Sequence, residues 1–211
     1  MAMIIQCDFD GTITEEDVSF TLLDTFTQGD WRKIFQQYRE NKISVGDFNT
    51  KAFALVKAGR EELLEAAKSK VELRDGLHEL VTYCQRRGFR LVIVSNGLDF
   101  YITSILEDVG LGDVEVHAAQ TRFHLGGLKV QYIGPDGSPL SSDFKVAYTR
   151  AFLKQGYRVV CVGNGPSDIF PASLAQHVFA RDGLLDCCKE RNLQCQPFDD
   201  LNDVIRGLES L

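Results

Sequence analysis

Short apolar runs that end in turn-forming residues alternate along this chain with longer amphipathic segments. A strand buried on both faces of a parallel sheet reads as such a run, and the amphipathic segments are typical of the helices that cover the sheet. The alternation therefore predicts an α/β fold, a Rossmann-like doubly wound parallel sheet. We expect strands at residues 3–7, 90–94, 114–117, 158–162, 177–180 and 193–196.

Helical periodicity is clearest in segments that follow the predicted strands. Apolar residues three and four positions apart predict helices at residues 76–87, 99–109, 143–154, 167–175 and 201–208. A separate connection, residues 118–142, contains the alternating run GGLKVQYIGPDGSP with its glycines and PDG turn. That run predicts a β-hairpin.

The connection between the first two predicted strands is much longer than the roughly two to six residues of a usual βα loop. It repeats the helical periodicity, at residues 17–27, 31–38, 45–56 and 61–69. We therefore expect a small helical-bundle cap domain at residues 15–74. It would be inserted into a core domain of residues 1–14 and 75–211.

Charge and composition limit the partners of this chain. The 211 residues carry a formal net charge of -7, and basic residues form no stripe that would attract nucleic acid or an anionic membrane. The start MAMIIQCDFD lacks the features of a signal peptide, and no apolar run is long enough to span a bilayer. We expect a cytoplasmic protein with reduced cysteines; the spacing of Cys187, Cys188 and Cys195 matches no standard zinc site, and the oligomeric state is left open.

Two carboxylates directly follow the first predicted strand, in the string DFDGTIT. Asp8 and Asp10 stand where ligands collect in parallel sheets, and on an extended chain they would face the same side and repel each other. A hard divalent cation would relieve that repulsion. Gly11 permits a tight turn, and Thr12 adds a hydroxyl and a backbone N–H suited to phosphate oxygens.

Further polar groups stand at the ends of other predicted elements. Ser95, Asn96 and Gly97 end the second strand, where Ser95 could alternatively cap the next helix. Lys145 opens a helix, a place that the helix dipole makes unfavourable for a cation and that therefore suggests a functional role. The run VVCVGNGPSD takes a strand into a glycine turn that carries an amide and a carboxylate.

DFDGTIT, SNG, the lysine at a helix start and VVCVGNGPSD resemble, in this order, the four motifs of the haloacid dehalogenase (HAD) superfamily. The resemblance implies a phosphatase that works through an aspartyl-phosphate, with Asp8 as nucleophile, Asp10 as general acid and then base, and Lys145 as the neutralising cation. The implied sites are substrate contacts at Thr12, Asp17, Ser95, Asn96, Gly97 and Lys145, and a Mg²⁺ ion held by Asp8, Asp10, Asn164 and Asp168.

One position departs from the family pattern. Members usually carry aspartate where this chain has Asn164, and an amide oxygen can bind a hard cation but adds no negative charge. We expect weaker metal affinity. The alternatives are weakened catalysis, an altered metal requirement, an engineered substitution, or a protein that binds phosphorylated metabolites with little or no turnover.

The long helical insertion resembles the cap of the phosphoserine-phosphatase-like branch, and the tail VFARDGLLDCCKERNLQCQPFDD is similar to phosphatases of methionine salvage. The expected partner is a small phosphorylated metabolite: a methionine-salvage phospho-sugar, phosphoserine or a phosphocholine-like compound. Phosphoserine is disfavoured because residues 45–56 lack the arginine of that branch. Asp17 matches a substrate-contacting acid or a helix-start charge, and Pro171 is a weak link to phosphocholine phosphatases.

Overall fold

A computed structural model describes residues 2–124 and 127–211 and shows an α/β protein built on one central sheet. Within these residues the sheet has eight strands in the order β5-β4-β3-β2-β1-β6-β7-β8. The strands are β1 Met3–Cys7, β2 Arg90–Leu98, β3 Glu115–His124, β4 Gly127–Ile133, β5 Pro139–Leu140, β6 Arg158–Gly163, β7 His177–Ala180 and β8 Gln196–Pro197. The predicted fold class is confirmed.

The centre of the sheet is parallel and buried on both faces. β1 pairs in parallel with β2 on one side and with β6 on the other, and all five of its residues are buried. This explains why it reads as an unbroken apolar run instead of an alternating one. The chain reverses its winding at β1, so the carboxyl ends of β1, β2 and β6 open at one edge, where ligands collect in such sheets.

The hairpin prediction is also confirmed. β3 pairs in parallel with β2 through its first residues and then in antiparallel fashion with β4, so it is longer than the predicted 114–117. β5 adds a short antiparallel strand beside β4. The tip of the hairpin, residues 125–126, lies outside the described residues.

Helices follow the strands on the two faces of the sheet, mostly within two residues of the predicted bounds. They are α5 Leu77–Arg87, α6 Asp99–Asp108, α7 Phe144–Lys154, α8 Ile169–Leu174, α9 Asp182–Glu190 and α10 Leu201–Glu209. The predicted helix 167–175 divides into a 3-10 turn, Pro166–Asp168, followed by α8. None of the helices in the described part of the chain is long and apolar enough to cross a membrane.

One expectation near the C-terminus is wrong, and one helix there was not expected. The strand predicted at 193–196 is a two-residue strand, β8, because the preceding residues close the end of a helix: Leu193 N–H donates to Cys188 O at 2.9 Å. That helix, α9, has no counterpart among the sequence predictions. Its first residue, Asp182, has a φ of 44°, a start that no standard capping pattern announces.

Four helices occupy the insertion between β1 and β2: α1 Val18–Phe26, α2 Trp31–Arg39, α3 Val45–Phe53 and α4 Arg60–Lys70. An aromatic cluster packs α1, α2 and α3 together, with Phe35 within 5.3 Å of both Phe20 and Phe48 between ring centres. The chain enters and leaves side by side, since Glu15 N–H donates to Glu72 O at 2.9 Å. The helical cap is thus present, and its bounds at 15–74 stay a prediction.

Candidate active site

The ammonium group of Lys145 joins two carboxylates at the carboxyl edge of the sheet. Its nitrogen lies 2.6 Å from Oδ2 of Asp8, which follows β1, and 2.7 Å from Oδ1 of Asp168, which follows β6. All three side chains are at least nine-tenths buried. Burial alone would lower the pKa of Lys145, but Asp168 and Asp8 outweigh it and raise that pKa above its usual value.

Burial raises the pKa of Asp168 to about 7, although Lys145 opposes the rise. Because these charged groups are almost completely shielded from water, they are stabilised by their ion pairs with one another. The unfavourable lysine near the start of α7 is thereby explained, because its side chain pairs with two acids. A lysine at a helix start would otherwise be expected to extend into solvent, but Lys145 is only 3% exposed.

Asp10 accepts hydrogen bonds from a different set of groups. Its Oδ1 accepts from the backbone N–H of Val18 at 3.0 Å, and its Oδ2 accepts from the hydroxyl of Tyr101. Burial raises the pKa of Asp10 well above its usual value, and the nearby charge of Asp17 adds to the rise. The chain turns after Phe9, whose carbonyl oxygen accepts from the N–H groups of Thr12, Ile13 and Thr14. Asp8 and Asp10 therefore have different partners, and their position on one side of the strand end stays a prediction.

That turn depends on a glycine packed against the fourth motif. Gly11 has a φ of 72°, and a Cβ added there would lie 2.2 Å from the amide nitrogen of Asn164. The hydroxyl of Thr12 donates to Oδ1 of Asn164 at 3.1 Å. Motifs one and four are therefore in direct contact, and Thr12 is engaged within the protein.

Arg74 is a site residue that the sequence reasoning missed. Its buried guanidinium donates to the carbonyl oxygens of Thr12 at 2.8 Å, Thr14 at 3.2 Å and Gly11 at 3.3 Å. It also pairs with Glu15 at 2.7 Å. One side chain thus pairs with three carbonyl oxygens of the turn. In the sequence Arg74 stands in the string LRDG, but nothing in that string predicts which loop its side chain contacts.

The second motif ends β2 beside Asp10. Ser95 is fully buried, and its oxygen accepts from the N–H of Gly97 at 3.0 Å. It does not cap α6, whose N-cap is Leu98, so that alternative is wrong. A Cβ on Gly97 would lie 2.3 Å from Oδ2 of Asp10, which shows how closely the two motifs approach.

Asn96 connects the core to the helical insertion. Its backbone oxygen accepts from Asn49 of α3 at 2.8 Å and from the hydroxyl of Tyr132 in β4 at 2.7 Å. Asn49 also donates to Tyr132 at 2.6 Å. The side-chain oxygen of Asn96 is buried and accepts no hydrogen bond from the described residues. It is an acceptor available to a ligand.

A cavity of about 900 Å³ opens beside these groups, between the insertion and the core. Lys145 and Asn96 line its inner end, Tyr38 of α2 lines the side of the insertion, and Phe170 and Arg191 line the outer rim. Burial and the charges of Asp168 and Asp8 raise the pKa of Tyr38, although Lys145 opposes the rise. The volume is in the range of protein cavities that bind small molecules.

Asp17 caps α1, with its Oδ1 accepting from the N–H of Phe20 at 2.9 Å. The interpretation as a helix-start charge is confirmed, and a substrate contact stays a prediction. Burial raises the pKa of Asp17 to about 6. The carboxyl of Asp17, at the junction of insertion and core, therefore keeps its proton to a higher pH than a solvent-exposed aspartate would.

The predicted magnesium ligands are only partly brought together. Asp8 and Asp168 meet at Lys145, whereas both oxygens of Asp10 accept other hydrogen bonds. Among the described residues, no group of three or more His, Cys, Asp or Glu side chains is arranged to hold a metal ion. Two carboxylates and the amide oxygen of Asn164 fit a hard cation in donor type, with one negative charge fewer than aspartate at 164 would give.

Residues 5–170 match the family described as haloacid dehalogenase-like hydrolases, and the chain belongs to this family. Two similar relatives are named 2-hydroxy-3-keto-5-methylthiopentenyl-1-phosphate phosphatase. The one from Brevibacillus brevis is 28% identical over 215 residues, with 99% of this chain and 96% of the relative covered. The one from Geobacillus kaustophilus is 31% identical over 217 residues with the same coverage. The chain is a HAD-type phosphoric monoester hydrolase.

Solved structures of phosphoserine phosphatase share the fold. A phospho-aspartyl intermediate analogue superposes with a TM-score of 0.71 at 22% identity, covering 97% of this chain and 98% of that one. The enzyme from T. onnurineus gives a TM-score of 0.71 at 17% identity, covering 100% and 96%. These likenesses confirm the doubly wound core with its helical cap.

Proposed function

We propose that this protein hydrolyses a small phosphate monoester with Mg²⁺ through an aspartyl-phosphate on Asp8. The observation that carries the proposal is the pairing of Lys145 with Asp8 and Asp168 at the carboxyl edge of the sheet. A carboxylate can approach a phosphate dianion only if cations offset the repulsion between them. Lys145 supplies one such charge at 2.6 Å from the nucleophile.

The first half of the reaction transfers the phosphoryl group. An oxygen of Asp8 forms a bond to phosphorus while the ester P–O bond breaks, and Asp10 gives its proton to the leaving oxygen. Burial raises the pKa of Asp10 well above its usual value, which favours the protonated form that this step needs. The N–H of Gly97 already donates to Ser95 Oγ at 3.0 Å, so the hydroxyl hydrogen of Ser95 and the N–H of Asn96, at the end of β2, would be the donors to the phosphoryl oxygens.

The second half frees the enzyme. Asp10, now a carboxylate, accepts a proton from a water molecule whose oxygen attacks phosphorus. The acyl-phosphate bond then breaks, so Asp8 is restored and inorganic phosphate leaves. Asp8, Asn164 and Asp168 would hold the magnesium ion, which supplies further charge neutralisation for the phosphoryl oxygens when bound.

A methionine-salvage phospho-sugar is the substrate class that we favour. The names of the similar relatives support it. Phosphoserine requires a cation for its carboxylate, and the segment 45–56 offers only Lys51, which is exposed and is not among the described residues that line the cavity. Besides Lys145, the described basic residues that do line it, Arg39, Lys42 and Arg191, lie outside that segment. A phosphocholine-like substrate has no comparable support.

The test is a panel of these phosphorylated metabolites with Mg²⁺, with release of inorganic phosphate as the readout and Asp8→Asn as the control. We expect turnover of at least one compound by the wild type and none by Asp8→Asn. Equal inertness of both proteins, together with ligands that raise the melting temperature, would establish the second candidate function. That candidate is a phospho-metabolite binding protein, which the amide at Asn164 favours.

A further inference from the structure

The acid/base carboxyl of Asp10 is held by groups that the four motifs do not include. Its Oδ2 accepts from Tyr101, which lies on α6 and is fully buried, and its Oδ1 accepts from the N–H of Val18 at the start of α1. Tyr101 is in turn hydrogen-bonded to the hydroxyl of Ser19, 2.8 Å away on α1. Both oxygens of Asp10 thus depend, directly or through one residue, on the first helix of the insertion.

The packing around Tyr101 shows that its hydroxyl has a specific place. A Cβ on Gly97 would lie 2.2 Å from the Tyr101 hydroxyl and 2.3 Å from Oδ2 of Asp10. The contact therefore exists only because residue 97 is glycine. The ring packs against Phe9 and Phe100, with centroids 6.3 and 5.5 Å away. A phenylalanine would fill this space as well, so the hydroxyl serves its two hydrogen bonds.

Those hydrogen bonds suit a group that must act as an acid and then as a base. A carboxyl transfers its proton efficiently only when its rotamer is fixed at hydrogen-bond distance from the leaving oxygen. With Val18 on one oxygen and Tyr101 on the other, the carboxyl of Asp10 cannot rotate without breaking a buried hydrogen bond, which is costly. When the proton has left, the Tyr101 hydroxyl still donates to the carboxylate.

We propose that Tyr101 is the positioning residue of the acid/base Asp10, and that Ser19 links it to the helical insertion. This inference rests on the proposed function, in which Asp10 protonates the leaving group. It makes the geometry of the acid depend on the contact between the insertion and the core.

The test compares two leaving groups. With saturating Mg²⁺, Tyr101→Phe is assayed on the alkyl phosphate that the wild type hydrolyses fastest and on p-nitrophenyl phosphate, whose phenolate leaves without a proton. Because general acid catalysis contributes roughly 10²–10⁴-fold, we expect kcat/KM to fall about 10- to 100-fold on the alkyl phosphate. On the aryl phosphate it should fall less than about threefold, since kcat/KM covers the first half of the reaction only.

The matched control is Tyr148→Phe, which removes a hydroxyl that donates to Ile133 O at 3.1 Å, away from Asp10. It should leave both values of kcat/KM unchanged. Ser19→Ala should reproduce part of the alkyl-specific loss, and combining it with Tyr101→Phe should add little, since the two act through one chain. If Tyr101→Phe is poorly folded, the alkyl-specific loss in kcat/KM of Ser19→Ala tests the proposal in its place.

Two failures can be told apart. If Asp10→Asn hydrolyses the alkyl phosphate at the wild-type rate, the proposed function is wrong. If Asp10→Asn is inactive but Tyr101→Phe loses the same factor on both substrates, the proposed function stands and the positioning role of Tyr101 is rejected.

Discussion

The ammonium nitrogen of Lys145 lies 2.6 Å from Oδ2 of Asp8, and both side chains are almost completely shielded from solvent. Replacement of Lys145 by methionine would keep much of the packing of the side chain and remove its positive charge. We expect Lys145→Met to lose about 100-fold or more in kcat, since removing one preorganised charge-stabilising group typically costs that much. Lys154→Met is the control, because Lys154 lies exposed at the end of the same helix. Comparable activity of the two variants would contradict the assigned role.

Arg74 is expected to be the stability determinant of the nucleophile turn. Arg74→Met removes a buried cation and leaves several turn carbonyls unpaired, so unfolding free energy should fall by about 3 to 5 kcal/mol. Urea denaturation followed by circular dichroism measures this loss. Arg32 pairs with Asp24 at 2.8 Å on the surface, and Arg32→Met should cost at most about 1 kcal/mol. Equal losses of unfolding free energy at both positions would show that the buried contacts of Arg74 contribute no more to stability than a surface ion pair.

The sheet and the order of the motifs could be predicted because each has a local signal. β1 is buried on both faces, so its residues are apolar without interruption, and Asp8 follows it directly. Lys145 violates helix-dipole preference, and that local conflict predicts a functional role. Such residues can be predicted from their neighbours within a few positions in the sequence.

The supporting residues could not be predicted, because their roles arise from contacts distant in sequence. Arg74 reaches a loop 60 to 63 residues away, and Tyr101 reaches Asp10 across 91 residues. Asn49 meets Asn96 only once the insertion has folded over the core. A buried arginine, tyrosine or asparagine looks the same in sequence as an exposed one. Periodicity also failed at α9, where a short helix starts without a recognisable cap.

Asn49 is expected to hold the insertion against the core. Asn49→Ala removes hydrogen bonds to Asn96 O and Tyr132 and should lower unfolding free energy by about 1 to 3 kcal/mol. Since a less firmly closed insertion binds substrate more weakly, KM should rise several-fold. Thr50→Ala, on the exposed face of the same helix, controls for helix propensity. Identical KM values for the two variants would argue against a closing role.

Asp17 is expected to make stability depend on pH. Burial raises its folded pKa to about 6, so between about pH 4 and 6 the folded state binds more protons than the unfolded state. Stability then falls as pH rises through this window. Asp17→Asn keeps a good N-cap and should be more stable than the wild type above pH 6, by about 1 to 2 kcal/mol.

The measurement is urea denaturation of Asp17→Asn and wild type at several pH values. Asp30→Asn is the matched control, because Asp30 is an exposed N-cap residue of α2 whose side chain makes no capping hydrogen bond. Its difference from the wild type should not vary across the window. A difference for Asp17→Asn that is likewise constant with pH would contradict a raised pKa.

Asn164 is expected to limit the affinity for magnesium. Its oxygen already lies at the junction of motifs one and four, where it accepts from Thr12 at 3.1 Å. Asn164→Asp would add a negative charge without changing the size of the side chain. A negative charge a few ångströms from a cation contributes about a few kcal/mol of attraction. We therefore expect the dissociation constant for Mg²⁺ to fall about tenfold or more. Isothermal titration calorimetry measures this directly and needs no substrate.

The control for added charge is Asn192→Asp, in an exposed turn after α9, which should leave magnesium binding unchanged. In assays, Asn164→Asp should also lower the magnesium concentration that gives half-maximal phosphate release. If calorimetry shows the same affinity for Asn164→Asp and wild type, residue 164 does not contact the ion. Asp8 and Asp168 would then be the protein side chains that hold it, and the amide of Asn164 would serve to join the two motifs through Thr12.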